Sequence, residues 1–95
     1  MNLNQLYDLG MSFQSRLNGD LIPSTYELSE DDTELHVDCY LDSDEEFRVE
    51  ASFVIVSVKE VLDNGTIIVL DENNDEQEFT FFGQMNKALI DQFTA

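Results

Sequence analysis

In three stretches between Ser24 and Phe53, apolar and polar residues alternate, and this period of two constrains the fold more than any other feature. The clearest stretch has two interleaved rows, one apolar and one mostly polar: Leu35, Val37, Cys39 and Leu41, and His36, Asp38, Tyr40 and Asp42. Residues i and i+2 of a strand face the same side of a sheet. The pattern therefore predicts an antiparallel sheet with one face on a core and one in solvent.

Helical patterns flank the predicted strands. In residues 2–18, apolar residues recur near the 3.6-residue period of an α-helix: Leu3, Leu6, Tyr7, Phe13 and Leu17. Asn2 or Asn4 is the expected N-cap, and Asn18-Gly19 is the expected stop. After Gly83 a short helix is predicted, with Met85, Leu89 and Phe93 on one face.

Turn signals divide the rest of the chain into strands. Residues 42–46 and 71–76 are polar, and Asp63-Asn64-Gly65 is a strong hairpin signal. Phe47, Val49, Ala51 and Phe53 are expected to face the core. Beyond Phe53 the apolar parity shifts to residues 54, 56 and 58, which predicts a β-bulge or a strand buried on both faces. The predicted fold is α+β, with an N-terminal helix, an antiparallel sheet of about five strands and a short C-terminal helix, in one domain of residues 1–95.

The charge of the chain is almost entirely of one sign. There are 21 Asp and Glu against four Lys and Arg, for a formal net charge of -17. All but three of the acidic residues lie in residues 27–78, where only Arg48 and Lys59 are basic. Two unit charges about 7 Å apart repel by roughly 0.6 kcal/mol in water, so this charge opposes folding. Because the chain is still 42% hydrophobic, a folded domain that uses the charge to attract a basic partner is expected.

Catalytic and metal-binding patterns are weak. The one His and the one Cys, His36 and Cys39, have opposite strand parity, so they do not form a nucleophile pair, and Cys39 is predicted to be a buried core thiol. The acidic run that begins at Asp71 lacks the Gly and Glu that a calcium loop of the EF-hand type needs at its sixth and twelfth positions, where Glu76 and Phe82 stand. We therefore predict no enzyme activity, no catalytic residue, no metal site and no cofactor.

The location expected from the sequence is the cytoplasm. A single cysteine allows no disulfide within the chain, and the first residues have neither a basic nor an apolar signal region. The sequence has no apolar run long enough to span a bilayer. The negative charge should also repel nucleic acid and anionic membranes, so neither is an expected direct partner.

The candidate binding surface follows from the outward row of residues 34–42. Outward residues two apart on a strand are about 6.6 Å apart, and the sheet twists by about 20–25° per strand, so rows of carboxylates approximate the charged rows of a nucleic-acid backbone. The facing strand is expected to add Arg48 and Glu50. Tyr40 is either an interface anchor or a residue that packs over the sheet edge, and Phe82 is expected to be covered by a helix or loop. The predicted partner-binding residues are Glu30, Asp31, Asp32, Glu34, Asp38, Tyr40, Asp42, Asp44, Glu45, Glu46 and Glu50.

A strongly acidic domain of 10.9 kDa without a catalytic set resembles the acidic DNA-mimic inhibitors that bacteriophages use against host defences. Anti-CRISPR and anti-restriction proteins belong to this class, and the resemblance covers the composition of the whole chain without a sequence motif. It implies that the carboxylates block the DNA channel of a CRISPR effector subunit, or of a restriction enzyme, in the cytosol of a bacterial host. The CRISPR target is the favoured interpretation.

Other interpretations stay open. An immunity or antitoxin protein that covers a basic nuclease also needs an acidic, compact surface. A regulator could bind a nucleoid or transcription protein while DNA stays bound. The acidic residues could also be a solvated face that only keeps the protein soluble, or an adaptation to high salt. The sequence does not give the oligomeric state.

Overall fold

The computed structural model describes residues 1–43, 45–83 and 85–95, and these form two helices and six strands. The elements in chain order are α1 (Leu3–Ser12), β1 (Ser15–Leu17), β2 (Leu21–Leu28), β3 (Leu35–Leu41), β4 (Ala51–Val61), β5 (Ile67–Asp71), β6 (Glu76–Phe81) and α2 (Lys87–Thr94). Each strand is antiparallel to its neighbours, and the strands follow chain order. Pairing of β1 with β6 closes the sheet into a barrel.

The predicted α+β class with a helix at each end is confirmed, but the count of about five strands is wrong. The described residues contain a sixth strand because the first helix ends at Ser12 rather than near Asn18. Asn2 caps α1 in a reciprocal capping box with Gln5, and Phe13 already has extended backbone angles. Asn18 and Gly19 both have positive φ and form the turn from β1 to β2 instead of a helix stop. An Asn-Gly pair suits either structure, since both need left-handed backbone.

The core of the barrel is built from the apolar row that the alternation predicted. Leu35, Val37 and Cys39 of β3 are fully buried, and His36 between them is exposed. The α1 helix packs against β2 and β4 and adds the buried side chains of Leu6 and Leu9 to this core. Each fully buried large apolar side chain stabilises the fold by about 1.5–3 kcal/mol, which offsets the repulsion among the carboxylates.

Strand β4 bends so that it can pair with two neighbours in succession. Its first half pairs with β3 and its second half with β5, and Ile55 faces Leu35 on one side and Asp71 on the other. The register shifts between Ile55 and Ser57 and again between Val58 and Glu60. The predicted bulge is therefore confirmed, but the parity changes after Ile55, which is fully buried, rather than after Phe53, and Val56 is 40% exposed. The bulge changes which side of the strand faces the core. Ile55 and Val58 therefore both contact the core, although residues three apart face opposite sides in a regular strand.

The predicted inward positions of Phe47 and Val49 are wrong, since the two side chains are 67% and 58% exposed. Strand β4 begins only at Ala51, and residues 45–50 belong to its connection with β3. Phe47 has a φ of 54°, which a regular strand cannot accommodate. Arg48 and Glu50 therefore precede β4 rather than lying on a facing strand.

The hairpin at Asp63-Asn64-Gly65 is confirmed: Leu62 N–H donates to the Thr66 carbonyl at 2.8 Å, and Gly65 has a φ of 90°. A side chain at Gly65 would also meet the Met85 carbonyl at 2.9 Å.

The predicted apolar face of the last helix is wrong, because Ile90 is its buried residue while Leu89 and Phe93 are exposed. Neither helix in the described ranges is long and apolar enough to cross a membrane.

Candidate partner-binding surface

Asp38 lies at the centre of the outward face of β3. Its carboxylate accepts hydrogen bonds from the Ser52 hydroxyl on β4 at 2.6 Å and from the Thr25 hydroxyl on β2 at 3.3 Å. Both partners are its cross-strand neighbours in the sheet register. Two exposed hydroxyls on opposite sides therefore hold this half-buried carboxylate in one place on the outward face of the sheet.

The loop before β3 holds four of the predicted residues, Glu30, Asp31, Asp32 and Glu34, in an ordered turn. The Ser29 hydroxyl accepts the backbone N–H of Thr33 and of Glu34 and donates to Asp31 at 2.9 Å. Hydrogen bonds from Thr33 first, and then from Ser29, hold the pKa of Asp31 below its ordinary value. Glu30, Asp31 and Asp32 are exposed, and none of the described Lys or Arg side chains lies within ion-pair distance of them. This loop therefore presents uncompensated negative charge.

The connection after β3 carries the rest of the predicted set. Asp42 pairs with Arg16 of β1 at 3.2 Å, and Glu46 lies 3.5 Å from Arg48. The backbone N–H of Glu50 donates to the Cys39 carbonyl at 2.8 Å, which holds this end of the connection against β3. Asp44 lies outside the described residues.

Together these residues form what we call the β3 acidic stripe, which comprises the outward positions of β3 and the loops at its two ends. Its members are Glu30, Asp31, Asp32, Glu34, Asp38, Asp42, Glu45, Glu46 and Glu50. Strand β3 alone is about 20 Å long from Leu35 to Leu41. Along it, Glu34, Asp38 and Asp42 follow each other at about 13 Å, because His36 and Tyr40 occupy the positions between them. His36 Nε2 lies 3.9 Å from the Glu34 carboxylate.

The basic residues are all engaged in ion pairs. Each of the four cations contacts a carboxylate, in the pairs Arg16–Asp42, Arg48–Glu46, Lys59–Glu76 and Lys87–Asp91. Exposed pairs of this kind contribute only about 0–1 kcal/mol to stability. Their consequence here is electrostatic, since the cations neutralise individual carboxylates and the strong negative charge of the rest remains.

Tyr40 lies within the stripe and contacts Phe47. The two rings meet edge to face, with centroids 5.2 Å apart and an angle of 87° between their planes. Tyr40 is half-buried and Phe47 is exposed, so this aromatic pair packs over the sheet beside Asp38 and Asp42. The sequence assigned Phe47 to the core because its parity matched that of Ala51. Only the acidic residues around it, 44–46, signalled an exposed position.

The chemistry of the only Cys and the only His agrees with their strand parity. Cys39 is fully buried while His36 is exposed on the opposite face of β3, so the predicted separation of the two is confirmed. Burial, and to a lesser extent the charge of Asp38, raises the pKa of the Cys39 thiol to about 12. Within the part of the chain that the structure describes, no group of three or more His, Cys, Asp and Glu is placed to hold a metal ion.

The acidic run after β5 is a turn, as predicted. The buried Asp71 carboxylate accepts the backbone N–H groups of Asn73 and Asp75, both at 2.9 Å, and the Gln77 side-chain amide at 3.0 Å. The N–H of Asp75 first, and then Gln77, hold the pKa of Asp71 below its ordinary value. The carboxylate that would be the first ligand of a calcium loop is thus used to fold its own turn.

Comparisons with protein-family models, with curated proteins and with solved structures find no match to this chain. The function is therefore inferred from the chain's own residues and their arrangement.

Proposed function

We propose that the protein binds the DNA-binding surface of a basic protein through the β3 acidic stripe and thereby competes with DNA. One observation carries this proposal: nine of the predicted acidic residues lie on one strand and the two loops that flank it. Two of the four cations pair with stripe residues, Arg16 with Asp42 and Arg48 with Glu46, and the other two pair with carboxylates outside the stripe. Nine carboxylates against two cations leave the stripe strongly negative. A coherent negative surface attracts a cationic groove and speeds association with it.

The fixed positions of two stripe carboxylates support binding rather than mere solubility. Asp38 and Asp31 are held by hydrogen bonds from neighbouring hydroxyls, so they lose little conformational freedom when a partner binds. The spacing of about 13 Å between Glu34, Asp38 and Asp42 equals the rise along the DNA helix axis of about four base-pair steps, since each strand carries one charge per about 3.4 Å of axis. Along β3 the stripe thus has fewer negative charges per unit length than a row of phosphates. The clustered carboxylates of the two loops raise the density of charge at its ends.

The target class follows from the resemblance in size and charge to phage-encoded inhibitors. A DNA-recognising subunit of a CRISPR effector is the first candidate, and a restriction enzyme is the second. An immunity-type inhibitor of a basic nuclease uses the same kind of surface against a single cognate toxin.

A competition experiment with purified targets tests the proposal. A labelled duplex that contains the target's recognition sequence is bound to a CRISPR surveillance complex, to a restriction enzyme or to a basic nuclease, and the protein is then added. We expect displacement of the duplex from one of these targets. Affinity for that target should fall steeply as salt is raised from about 50 to 200 mM, because paired charges are screened. A ternary complex with the duplex still bound would contradict competition, and salt-insensitive binding would contradict a role for the stripe.

A further inference from the structure

A cleft of about 510 Å³ opens beside the β3 acidic stripe, where β1 and β2 diverge. In the described residues these two strands pair at a single position, Leu17 with Leu21, so β2 separates from β1 beyond that point. The last turn of α1 forms a further wall of the cleft. Its lining combines polar residues, Ser12, Gln14, Ser15 and Arg16, with a group of apolar and aromatic side chains that includes Met11, Phe13, Ile22, Pro23, Tyr40 and Phe82.

The apolar side chains of this cleft are accessible to a partner. Met11 is 61% exposed, Phe13 and Phe82 are also exposed, and Ile22 and Pro23 are half-buried. Single exposed apolar residues are common on proteins, but a concave cluster of them marks a binding site. Phe82, which was expected to be covered by a helix or loop, is instead in contact with the Arg16 side chain.

Arg16 is the only cation among the residues that line the cleft, and its charge is balanced. Its guanidinium lies 4.7 Å from the centre of the Phe82 ring and 3.2 Å from the Asp42 carboxylate. The cleft is therefore not a site for an anion. The Arg16 side chain instead connects the cleft to the stripe, because it contacts both Phe82, which lines the cleft, and Asp42, which belongs to the stripe.

The cleft and the stripe share a border at Tyr40. This residue lines the cleft, and the residues two positions away from it in the chain, Asp38 on β3 and Asp42 just after β3, are stripe residues. A partner that contacts the stripe with Lys or Arg side chains would thus place an adjacent side chain over the cleft. An apolar anchor surrounded by charged contacts is the usual arrangement of an interface hot spot.

We infer that the cleft receives one aromatic or branched aliphatic side chain from the same basic partner whose cations contact the stripe. This inference rests on the proposed function and names a further requirement for the partner. Charge alone attracts many cationic proteins, whereas an apolar anchor at a fixed position beside the charges selects among them. The occupant is a segment of a basic protein, in which an apolar side chain is flanked by Lys or Arg.

Peptide probes can separate the contribution of the cleft from that of the stripe. The first probe is acetyl-Lys-Arg-Gly-Phe-Gly-Arg-Lys-amide, the second has Gly in place of Phe, and the third keeps Phe but has Ser in place of each Lys and Arg. Each is titrated into the ¹⁵N-labelled protein and followed by NMR. We expect the first peptide to bind about tenfold more tightly than the second, because it buries one aromatic side chain. Its largest additional shifts should fall on Met11, Arg16 and Tyr40.

Two variants and a matched control assign the effect. Phe82→Ala and Met11→Ala should remove most of the difference between the first two peptides. Leu89→Ala, which truncates a helix residue that is 43% exposed and lies outside the cleft lining, should leave it unchanged. Equal binding of the first two peptides, with shifts confined to the stripe, would overturn the cleft inference and leave the proposed function standing. Binding of the third peptide as tight as that of the first would also overturn it, and binding of no basic peptide would overturn both.

Discussion

The Asp38 carboxylate accepts a 2.6 Å hydrogen bond from the Ser52 hydroxyl of the neighbouring strand, so the centre of the acidic stripe is also part of the sheet. An Asn at this position keeps one acceptor oxygen for Ser52 but loses the charge. Asp42, the next stripe residue along β3, is exposed and pairs only with Arg16 among the described residues. Substitutions at these two positions should therefore change the charge of the stripe with little effect on the stability of the fold.

The double variant Asp38→Asn, Asp42→Asn should bind a basic target at least about tenfold more weakly than the parent protein. Its free energy of unfolding should change by about 1 kcal/mol or less, because an amide at position 38 still accepts from Ser52 and can donate to the Thr25 hydroxyl, and an exposed ion pair contributes little. Binding is measured by calorimetry and stability by urea denaturation. Asp8→Asn, Asp63→Asn removes the same charge outside the stripe and is the matched control. If both double variants bind equally, the position of the charges is irrelevant.

Salt should stabilise the isolated protein. Screening at 0.1 M salt shortens the Debye length from about 30 to about 10 Å relative to 0.01 M, which relieves repulsion among the carboxylates. We expect the melting temperature to rise by about 5 °C over this range of NaCl, as for a gain of about 1 kcal/mol in a domain of this size. The increase should be smaller in Glu30→Gln, Asp32→Asn. A melting temperature that does not respond to NaCl would show that the charges are too dispersed to repel each other.

Asp71 should make the stability of the β5–β6 turn depend on pH. Its folded-state pKa is held below the ordinary value of 3.8, so its contribution is present above that pH and is lost as pH falls through the folded pKa. Asp71→Asn should lower the melting temperature at pH 7, because the amide cannot accept the same three donors. Asp75→Asn removes an equal charge from the same turn and should have little effect. The difference in melting temperature between the two variants should shrink below pH 3.8, where Asp71 becomes protonated. A difference that stays constant with pH would contradict stabilisation of the turn by an ionised Asp71.

Gly10 is needed where α1 crosses Tyr26. A Cβ at this position would lie 2.7 Å from Cζ of the Tyr26 ring, whose hydroxyl is 3.2 Å from that of Ser15. Gly10→Ala gains about 1 kcal/mol of helix propensity, but displacing a packed ring costs about 1–3 kcal/mol. We expect a net loss of about 1 kcal/mol in urea denaturation.

Two variants test the cause of that loss. Asn4→Ala, at an exposed position of the same helix, should not destabilise the protein. In a Tyr26→Leu background, Gly10→Ala should be neutral or stabilising, because the ring that it displaces is gone. A loss of the same size in that background would mean that the ring of Tyr26 does not cause it.

Local pattern was enough to predict those parts of the fold that depend on neighbours in sequence. The inward row of β3, the burial of Cys39 and the hairpin at Asn64-Gly65 all follow from a period of two or from turn chemistry. The bulge in β4 was also visible, since a strand that faces one core cannot change parity without an extra residue. For the stripe, the same alternation placed Asp38 on the outward face.

Parts of the fold that depend on contacts between residues distant in the chain could not be predicted from the local pattern. Leu17 fits the helical period of α1, yet it lies in β1 because that short strand closes the barrel against β6. Phe47 fits the strand period, yet its positive φ turns it out of the sheet and into contact with Tyr40. The cleft depends on the divergence of β1 and β2, which are not distinguishable as separate strands in the sequence. Its residues come from α1 and the connection that follows it, from β1, β2 and β3, and from the segment after β6, so no local motif marks them.

The pairing of Arg16 with Thr80 joins residues that are far apart in the chain, and it has a consequence for how the protein is made. On the ribosome, the barrel cannot close until β6 has emerged, so the nascent chain carries incomplete sheet edges through most of synthesis. Contacts of such long sequence separation slow folding, and open edges invite association with other chains. During that interval the mutual repulsion of carboxylates would keep unfinished copies apart, so the charge that opposes folding also protects the folding chain.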